Sequence, residues 1–281
     1  MPTHSIYGQY QNPPKKFNIR SHNRFCRFPD HLHLINFMKP IVHLTITAAA
    51  VLFAASSSFA AMRNPPHSCL SGTIICVDPG HPSETSAGTE TSDHKLTERH
   101  VNWVEALLLK KLLEHDGARV ILTKVAERQF VTNRHRAEIA NQAHADLFLR
   151  LHCDYASEEG FATFYPNRTG TVQGHTGPSK RILRLSYADA LLFQKAAINA
   201  LNGKLNDRGA RGESRTSVGA KQGALTGSIF SNVPALTVEM CVLNQPHDVK
   251  FIRSHNGPNE LARSLEAGTV AVFCRTAKPV E

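Results

Sequence analysis

Followed for its apolar and polar positions, the chain resolves into strand-sized and helix-sized runs from residue 73 onward. Residues 73–77 (TIICV) are β-branched or apolar throughout, the pattern of a strand buried on both faces. A polar stretch rich in Ser, Thr and Gly follows from His81 to Lys95. Residues 96–117 then hold helical spacing through Val101, Val104, Leu108 and Leu112, with Thr97 placed to cap the start and Gly117 to end the helix. Residues 118–123 (ARVILT) predict a second strand, 133–145 a helix, and 146–151 (DLFLRL) a third strand ending at His152. Beyond it the pattern predicts a strand over 160–166 at a sheet edge, a long helix over 178–201 with a basic first third, a strand over 234–240 (PALTVEM) and a closing helix over 259–276. Two connections, 167–177 and 206–227, carry no predicted element, and loops of that length in a compact domain usually bind something or move. The β-α-β-α-β order implies an α/β fold, a mostly parallel twisted sheet with helices on both faces in a single domain.

The chain ahead of that domain is different. Met38-Lys39 precedes an apolar stretch that ends in small residues, with Ser58-Phe59-Ala60 where a signal peptidase would cut. Its apolar core, residues 41–55, is interrupted by His43, Thr45 and Thr47 and falls short of the roughly 20 residues that span a bilayer. Residues 38–60 therefore read as a secretory signal peptide, and membrane attachment arises only if that segment stays uncleaved. Residues 1–37, polar and basic, read as a non-native or disordered extension, and 61–72 as a linker to a catalytic domain over 73–281. Six Lys or Arg against the lone Asp30 lie within residues 1–60, so removing them takes the formal charge from +9 to +4. A charge of that size, without a nucleic-acid-binding motif, gives no reason to expect nucleic acid as a partner. Of the six cysteines, Cys26 lies in the leader; Cys76 and Cys241 fall in apolar runs where buried thiols are common, and the spacing of the rest assigns no pairing.

In open α/β sheets ligands sit beyond the carboxyl ends of the strands. His81 follows the first strand, His152 follows 146–151, and Glu239 stands among Leu236, Val238, Met240 and Val242. Glu98 opens the first helix, where it can point back to the same edge. Two imidazoles and one carboxylate suit zinc with one coordination position free, the make-up of a catalytic rather than a structural site. A second carboxylate beside such a site, Glu239, is what hydrolysis requires of a general base. Each residue also has a plainer reading: with 16 histidines in the chain some follow strands by chance, and a Glu at a helix start is a favourable partner of the helix dipole. Glu239 is the hardest to explain away, because a carboxylate among apolar neighbours is costly to bury without a role.

Other residues carry less. Trp103 reads as core; His94, His100, His115, His135 and His144 read as surface. Cys153 reads as a small near-core residue rather than a nucleophile, and Asp154 either holds an imidazole or ends a strand. The basic stretch with Arg208, Arg211, Arg215 and Lys221 either meets carboxylates of a substrate or is simply solvated.

Four segments together resemble the zinc-dependent N-acetylmuramoyl-L-alanine amidases of bacterial cell-wall metabolism. IICVDPGH (74–81) is similar to that family's Asp-Pro-Gly-His turn, the segment from Leu96 to Lys124 to its metal-ligand Glu helix, the segment from Asn133 to Asp154 to its Ala-Asn…Ala-Asp-Leu-Phe…His strand, and the segment from Val233 to Asp248 to its catalytic Glu strand. The resemblance implies a phosphorylase/hydrolase-like fold, zinc held by His81, Glu98 and His152, and Glu239 as general acid/base. It further implies cleavage of the amide between the lactyl group of N-acetylmuramic acid and L-alanine, peptidoglycan as partner, and a secreted, periplasmic or wall-associated location, with any protein activator unidentified. Three positions depart from the family: Pro82-Ser83 where Gly-Gly is frequent, Thr123-Lys124 for Thr-Arg, and His152-Cys153-Asp154 for His-Ala-Asn. Two other functions stand beside it: a zinc peptidase acting on peptidoglycan peptides, which the same four groups would serve, and a non-catalytic wall-binding protein on the same fold, which would have no need of Glu239.

Overall fold

Residues 69–274 are described by the computed structural model; the expected extension over 1–37, the signal peptide over 38–60 and most of the linker lie outside them. In chain order the elements are β1 (Ile74–Pro79), α1 (Glu98–His115), β2 (Arg119–Leu122), α2 (Asn133–Gln142), β3 (Leu147–Asp154), β4 (Phe161–Tyr165), β5 (Gly170–Val172), β6 (His175–Gly177), α3 (Lys180–Leu201), β7 (Asp207–Gly212), a 3-10 turn (Glu213–Arg215), α4 (Ser217–Gln222), α5 (Thr226–Ile229), β8 (Ala235–Val242), α6 (Pro246–Ile252) and α7 (Gly257–Phe273). One sheet runs in the order β2-β1-β3-β8-β4-β7, and β5 and β6 form a separate hairpin. β2, β1, β3 and β8 are mutually parallel; β4 joins β8 antiparallel and β7 joins β4 parallel. This is the expected mostly parallel α/β sheet.

Strand side chains alternate between faces, and that period positions the site. Ile75 and Val77, then Leu147, Leu149 and Leu151, then Leu236, Val238 and Met240 belong to one core with Leu109 and Leu113 of α1, Phe193 of α3 and Leu265 of α7. The intervening residues Cys76, Phe148 and Ala235 face the other way and pack with Ala137 and Ala140 of α2. Continuing along that second face, each strand turns polar toward its carboxyl end: Asp78 on β1, Arg150 and His152 on β3, Thr237 and Glu239 on β8.

Several expectations change. The buried stripe of α1 runs through Val101, Asn102, Glu105, Ala106, Leu109 and Leu113, one position on from the expected Val104, Leu108 and Leu112. Helical residues cover the surface with a stripe wider than a single i, i+4 row, and the sequence pattern there fits two neighbouring rows equally. β4 is not at the edge: it lies between β8 and β7. The edge strand β7 lies inside the stretch expected to be a loop, because its sequence, DRGARG, has no apolar alternation to mark it. The other unassigned connection holds the β5-β6 hairpin, and the last helix begins at Gly257 rather than 259. Cys69 and Cys274 form a disulfide across the ends of the described chain, with Cα atoms 5.4 Å apart, leaving Cys76, Cys153 and Cys241 as buried free thiols. Among the described residues no helix is long and apolar enough to cross a membrane.

Candidate metal centre

At the carboxyl ends of β1 and β3 the fold draws three of the candidate residues into one cluster: one ligand atom from each of His81, Glu98 and His152 lies within 4.8 Å of the others. His81 Nε2 is 3.2 Å and His152 Nδ1 3.0 Å from the same oxygen, Glu98 Oε1. The two imidazoles meet edge to face with centroids 4.9 Å apart.

Each member is held by its neighbours. His81 donates from Nδ1 to the Ser86 carbonyl at 3.1 Å, so Nε2 is the nitrogen turned toward the cluster. That is the arrangement a metal-binding imidazole needs, one nitrogen engaged by a carbonyl and the other free to donate electrons. Glu98 starts α1, capped by Thr97, and is 4% exposed. Its Oε2 accepts the Thr89 amide at 2.8 Å and its Oε1 the Cys153 amide at 3.2 Å, which aims the carboxylate at the imidazoles. Burial pushes the Glu98 carboxyl up, but the hydrogen bond from His152 and the proximity of His81 outweigh it and hold the group well below the usual carboxylate range. Burial pulls His152 down to about 4, so its ring is neutral at pH 7 and keeps a lone pair. Gly80 is required by contact: a Cβ there would meet the His152 ring at 2.4 Å.

Beneath this cluster lies an ion network of which the sequence had shown only the Asp-Pro-Gly turn. Asp78 is fully buried and pairs with Arg136, which also donates to the Pro79 carbonyl at 2.9 Å and the Pro82 carbonyl at 3.0 Å. Arg150 Nε donates to the other Asp78 oxygen at 3.0 Å, and the Thr123 hydroxyl also donates to Asp78. Burial alone would raise the Asp78 carboxyl; the Arg136 and Arg150 charges hold it well below the usual carboxylate range. Lys124 donates to the His81 carbonyl, so Thr123-Lys124 and Pro82 all anchor the loop that carries His81. That loop needs anchoring, because His81 sits at φ +57° in the left-handed region. The signals for this network are an Arg inside the apolar run DLFLRL and an Arg on the α2 face that packs inward.

Glu239 pairs in register with His152 across the parallel β3-β8 ladder, which sets their Cα atoms about 5 Å apart. Its Oε2 has no hydrogen-bond partner among the described residues. Burial first, then the Asp154 and Glu98 charges, push its carboxyl well above the ordinary range. His81, His152 and Glu239 line one cleft of about 400 Å³, along with Arg208, Arg211 and Arg215 but not Lys221.

The remaining candidates separate cleanly. Asp154 touches neither imidazole: its Oδ2 accepts from Arg208 Nη2 at 2.8 Å and its Oδ1 from the Tyr155 amide. Cys153 is 3% exposed and its thiol, pushed up by burial, lies 3.5 Å from the Cys241 sulfur, a core position. Trp103 is partly buried with the Lys124 ammonium over its ring, and His94, His100, His115, His135 and His144 are exposed. A second cluster, Glu159, His247 and Asp248, also has metal-ligand spacing, but Asp248 Oδ2 already accepts the Gly160 and Val242 amides and ties β8 to the loop before β4.

Comparison with known proteins agrees with this fold. No curated protein sequence matches the chain. Among solved structures it is similar to the N-acetylmuramoyl-L-alanine amidase AmiC2 of Nostoc punctiforme, with a TM-score of 0.56 and 21% identity over 70% of this chain and 96% of that one. It is similar to Ami1 from Mycobacterium smegmatis, with a TM-score of 0.59 and 17% identity over 73% and 98%. The CwlD amidase from Clostridioides difficile, solved in complex with the GerS lipoprotein, matches at a TM-score of 0.53 and 19% identity over 72% and 98%. These likenesses show the fold. The family model described as N-acetylmuramoyl-L-alanine amidase matches residues 75–269, from β1 to α7 and through every residue of the cluster. That match spans most of the chain, and the protein belongs to the N-acetylmuramoyl-L-alanine amidase family.

Proposed function

We propose that this protein hydrolyses the amide between the lactyl group of N-acetylmuramic acid and L-alanine in peptidoglycan, with zinc held by His81, Glu98 and His152 and with Glu239 as the general acid/base. The observation that carries the reading is that an ionised carboxylate and two imidazoles converge at one cleft wall, with an unpartnered carboxyl in register beside them. The donor set fits the metal: neutral imidazole and carboxylate are zinc ligands, and three of them leave a position open. When bound, zinc supplies Lewis acidity that polarises the carbonyl and acidifies water.

The chain's own residues supply the rest. Glu239 takes a proton from the attacking water and returns it to the departing alanine nitrogen. Its environment keeps proton affinity high, which suits a group that must both accept and donate near neutral pH. The Asp78-Arg136-Arg150 network and Lys124 hold the His81 loop so that the imidazole keeps its aim while substrate binds.

Residues 73–281 serve as the catalytic domain, exported by the signal segment over 38–60 to the periplasm or cell wall. The Cys69–Cys274 disulfide supports an oxidising compartment. Digestion of purified peptidoglycan with product masses tests the activity. Peptides with L-alanine amino termini and no lactyl group are expected; cut cross-links would make it a peptidase, and bound but intact peptidoglycan a binding protein.

A further inference from the structure

The cleft has a second pole that catalysis does not use. Reading across the sheet by register, Arg150, Thr237, Phe164 and Arg211 form one row and His152, Glu239, Ala162 and Gly209 the next. Directly opposed residues share a face, so β7 offers Arg211 to the cleft two strands and one row from Glu239, about 12 Å away between backbones. Among the described residues Arg208, Arg211 and Arg215 form ion pairs with only two acids, although Glu239 lines the same cleft. Arg208 pairs with Asp154, Arg211 pairs with Glu158 at 2.8 Å, and Glu158 stands 3.8 Å from Arg208. Two ion-paired carboxylates for three guanidinium groups leave Arg215 as the surplus cation.

The surplus is available to a ligand. The Arg208 side chain is 5% exposed and lines the cleft, yet its Nε and Nη1 have no hydrogen-bond acceptor among the described residues. Arg215 is exposed at the cleft and enters no ion pair among the described residues. The turn presenting it is fixed from both sides. Asn167 donates to the Ser214 hydroxyl at 2.9 Å and accepts the Ser214 amide at 3.0 Å. Glu213, fully buried, accepts from Ser228 Oγ at 2.6 Å and from the Leu225 amide at 2.8 Å. A mobile surface arginine would lose affinity to ordering; one on a pinned turn loses less.

We infer that Arg211 and Arg215, with the buried Arg208 behind them, form a carboxylate subsite that selects stem peptides whose acidic residue after L-alanine carries a free α-carboxylate rather than a carboxamide. The inference rests on the amidase reading. From the scissile nitrogen that carboxylate lies between one and two residues along the chain, roughly 5 Å, and an arginine side chain covers the remainder of the span of about 12 Å.

The test compares two synthetic N-acetylmuramoyl peptides that differ only in carboxylate or carboxamide at that position. Wild-type protein is expected to show a kcat/KM about tenfold higher for the carboxylate, carried by KM and shrinking with added salt. In Arg211→Gln/Arg215→Gln the ratio between the two substrates falls to near one. Arg215→Gln alone, at an exposed position with no ion-pair partner among the described residues, lowers the ratio severalfold and keeps the thermal midpoint, so loss of folding in the double variant does not rescue the idea. Equal cleavage of both peptides by the wild type, or an unchanged ratio in Arg215→Gln, overturns the subsite while leaving the amidase reading standing. Cleavage of neither peptide overturns both.

Discussion

The parallel half of the sheet, β2-β1-β3-β8, and the half formed by β4 and β7 are built from different kinds of sequence. In the first, apolar residues on one face are locked into a core with α1, α3 and α7, while the opposite face passes from Cys76, Phe148 and Ala235 to Asp78, Arg150, His152 and Glu239. In the second, β7 is DRGARG, nearly without apolar side chains, and it is held by register with β4 and by arginine-carboxylate pairs. The parallel half gives the chemistry a rigid floor. The β7 half gives the cleft a charged wall, tied to the floor through the Arg208–Asp154 pair. The proposed metal ligands and base therefore stand where the buried floor opens into the cleft, and the proposed substrate selection sits where the chain is most polar.

Removing the keystone of the floor should do the greatest damage. Asp78→Asn leaves Arg136 and Arg150 buried without their counter-charge, and breaking a buried pair from one side costs about 3–5 kcal/mol. Urea unfolding should register that loss, and activity should fall with it as the His81 loop loosens. A loss under 1 kcal/mol would mean the network is not what holds the floor.

The disulfide tests the same half from its periphery. Replacing Cys69 and Cys274 with serine should lower stability by about 2–5 kcal/mol, the range for losing a native disulfide, with the long 205-residue closure favouring the upper end. Turnover below the new melting temperature should stay the same, because neither cysteine approaches the cleft. A variant as stable as the parent would show that the bridge does not form.

A smaller effect separates buried carboxylates by role. Glu105, on the same helix as Glu98, is 1% exposed with neither oxygen partnered among the described residues, and burial raises it to about 9. The folded form therefore holds a proton that the unfolded chain releases above about pH 4.5, so Glu105 makes stability fall as pH rises from there toward 9. Glu105→Gln should remove that slope and be the more stable protein at pH 9, by about 1–3 kcal/mol. Parallel thermal melts at pH 5 and pH 9 measure it; identical slopes in the two proteins would contradict it.

What the sequence revealed follows the same division. Runs such as TIICV and PALTVEM announce β1 and β8, and a Glu or His among or just after such runs is conspicuous, so His81, His152 and Glu239 were visible before the fold was known, whereas Glu98, at a helix start, gained meaning only beside them. β7 was invisible because its stabilisation comes from ladder partners and ion pairs far apart in sequence, Asp154 and Glu158 among them. Arg136 was hidden for a related reason: on a polar helix nothing local distinguishes an arginine facing solvent from one buried against Asp78. The shift of the α1 stripe has a physical cause too, since Asn102 and Glu105 are polar residues on the buried face and an apolar count passes over them.

The central claim is that Glu239 moves the proton while His81, Glu98 and His152 hold zinc. Its most direct measurement is zinc content and muropeptide turnover on one preparation of Glu239→Gln. Gln is the same size and cannot exchange the proton, so zinc should remain at one equivalent while kcat falls by 10²–10⁴-fold. Full turnover in that variant would contradict the account, and so would loss of zinc equal to the loss of activity.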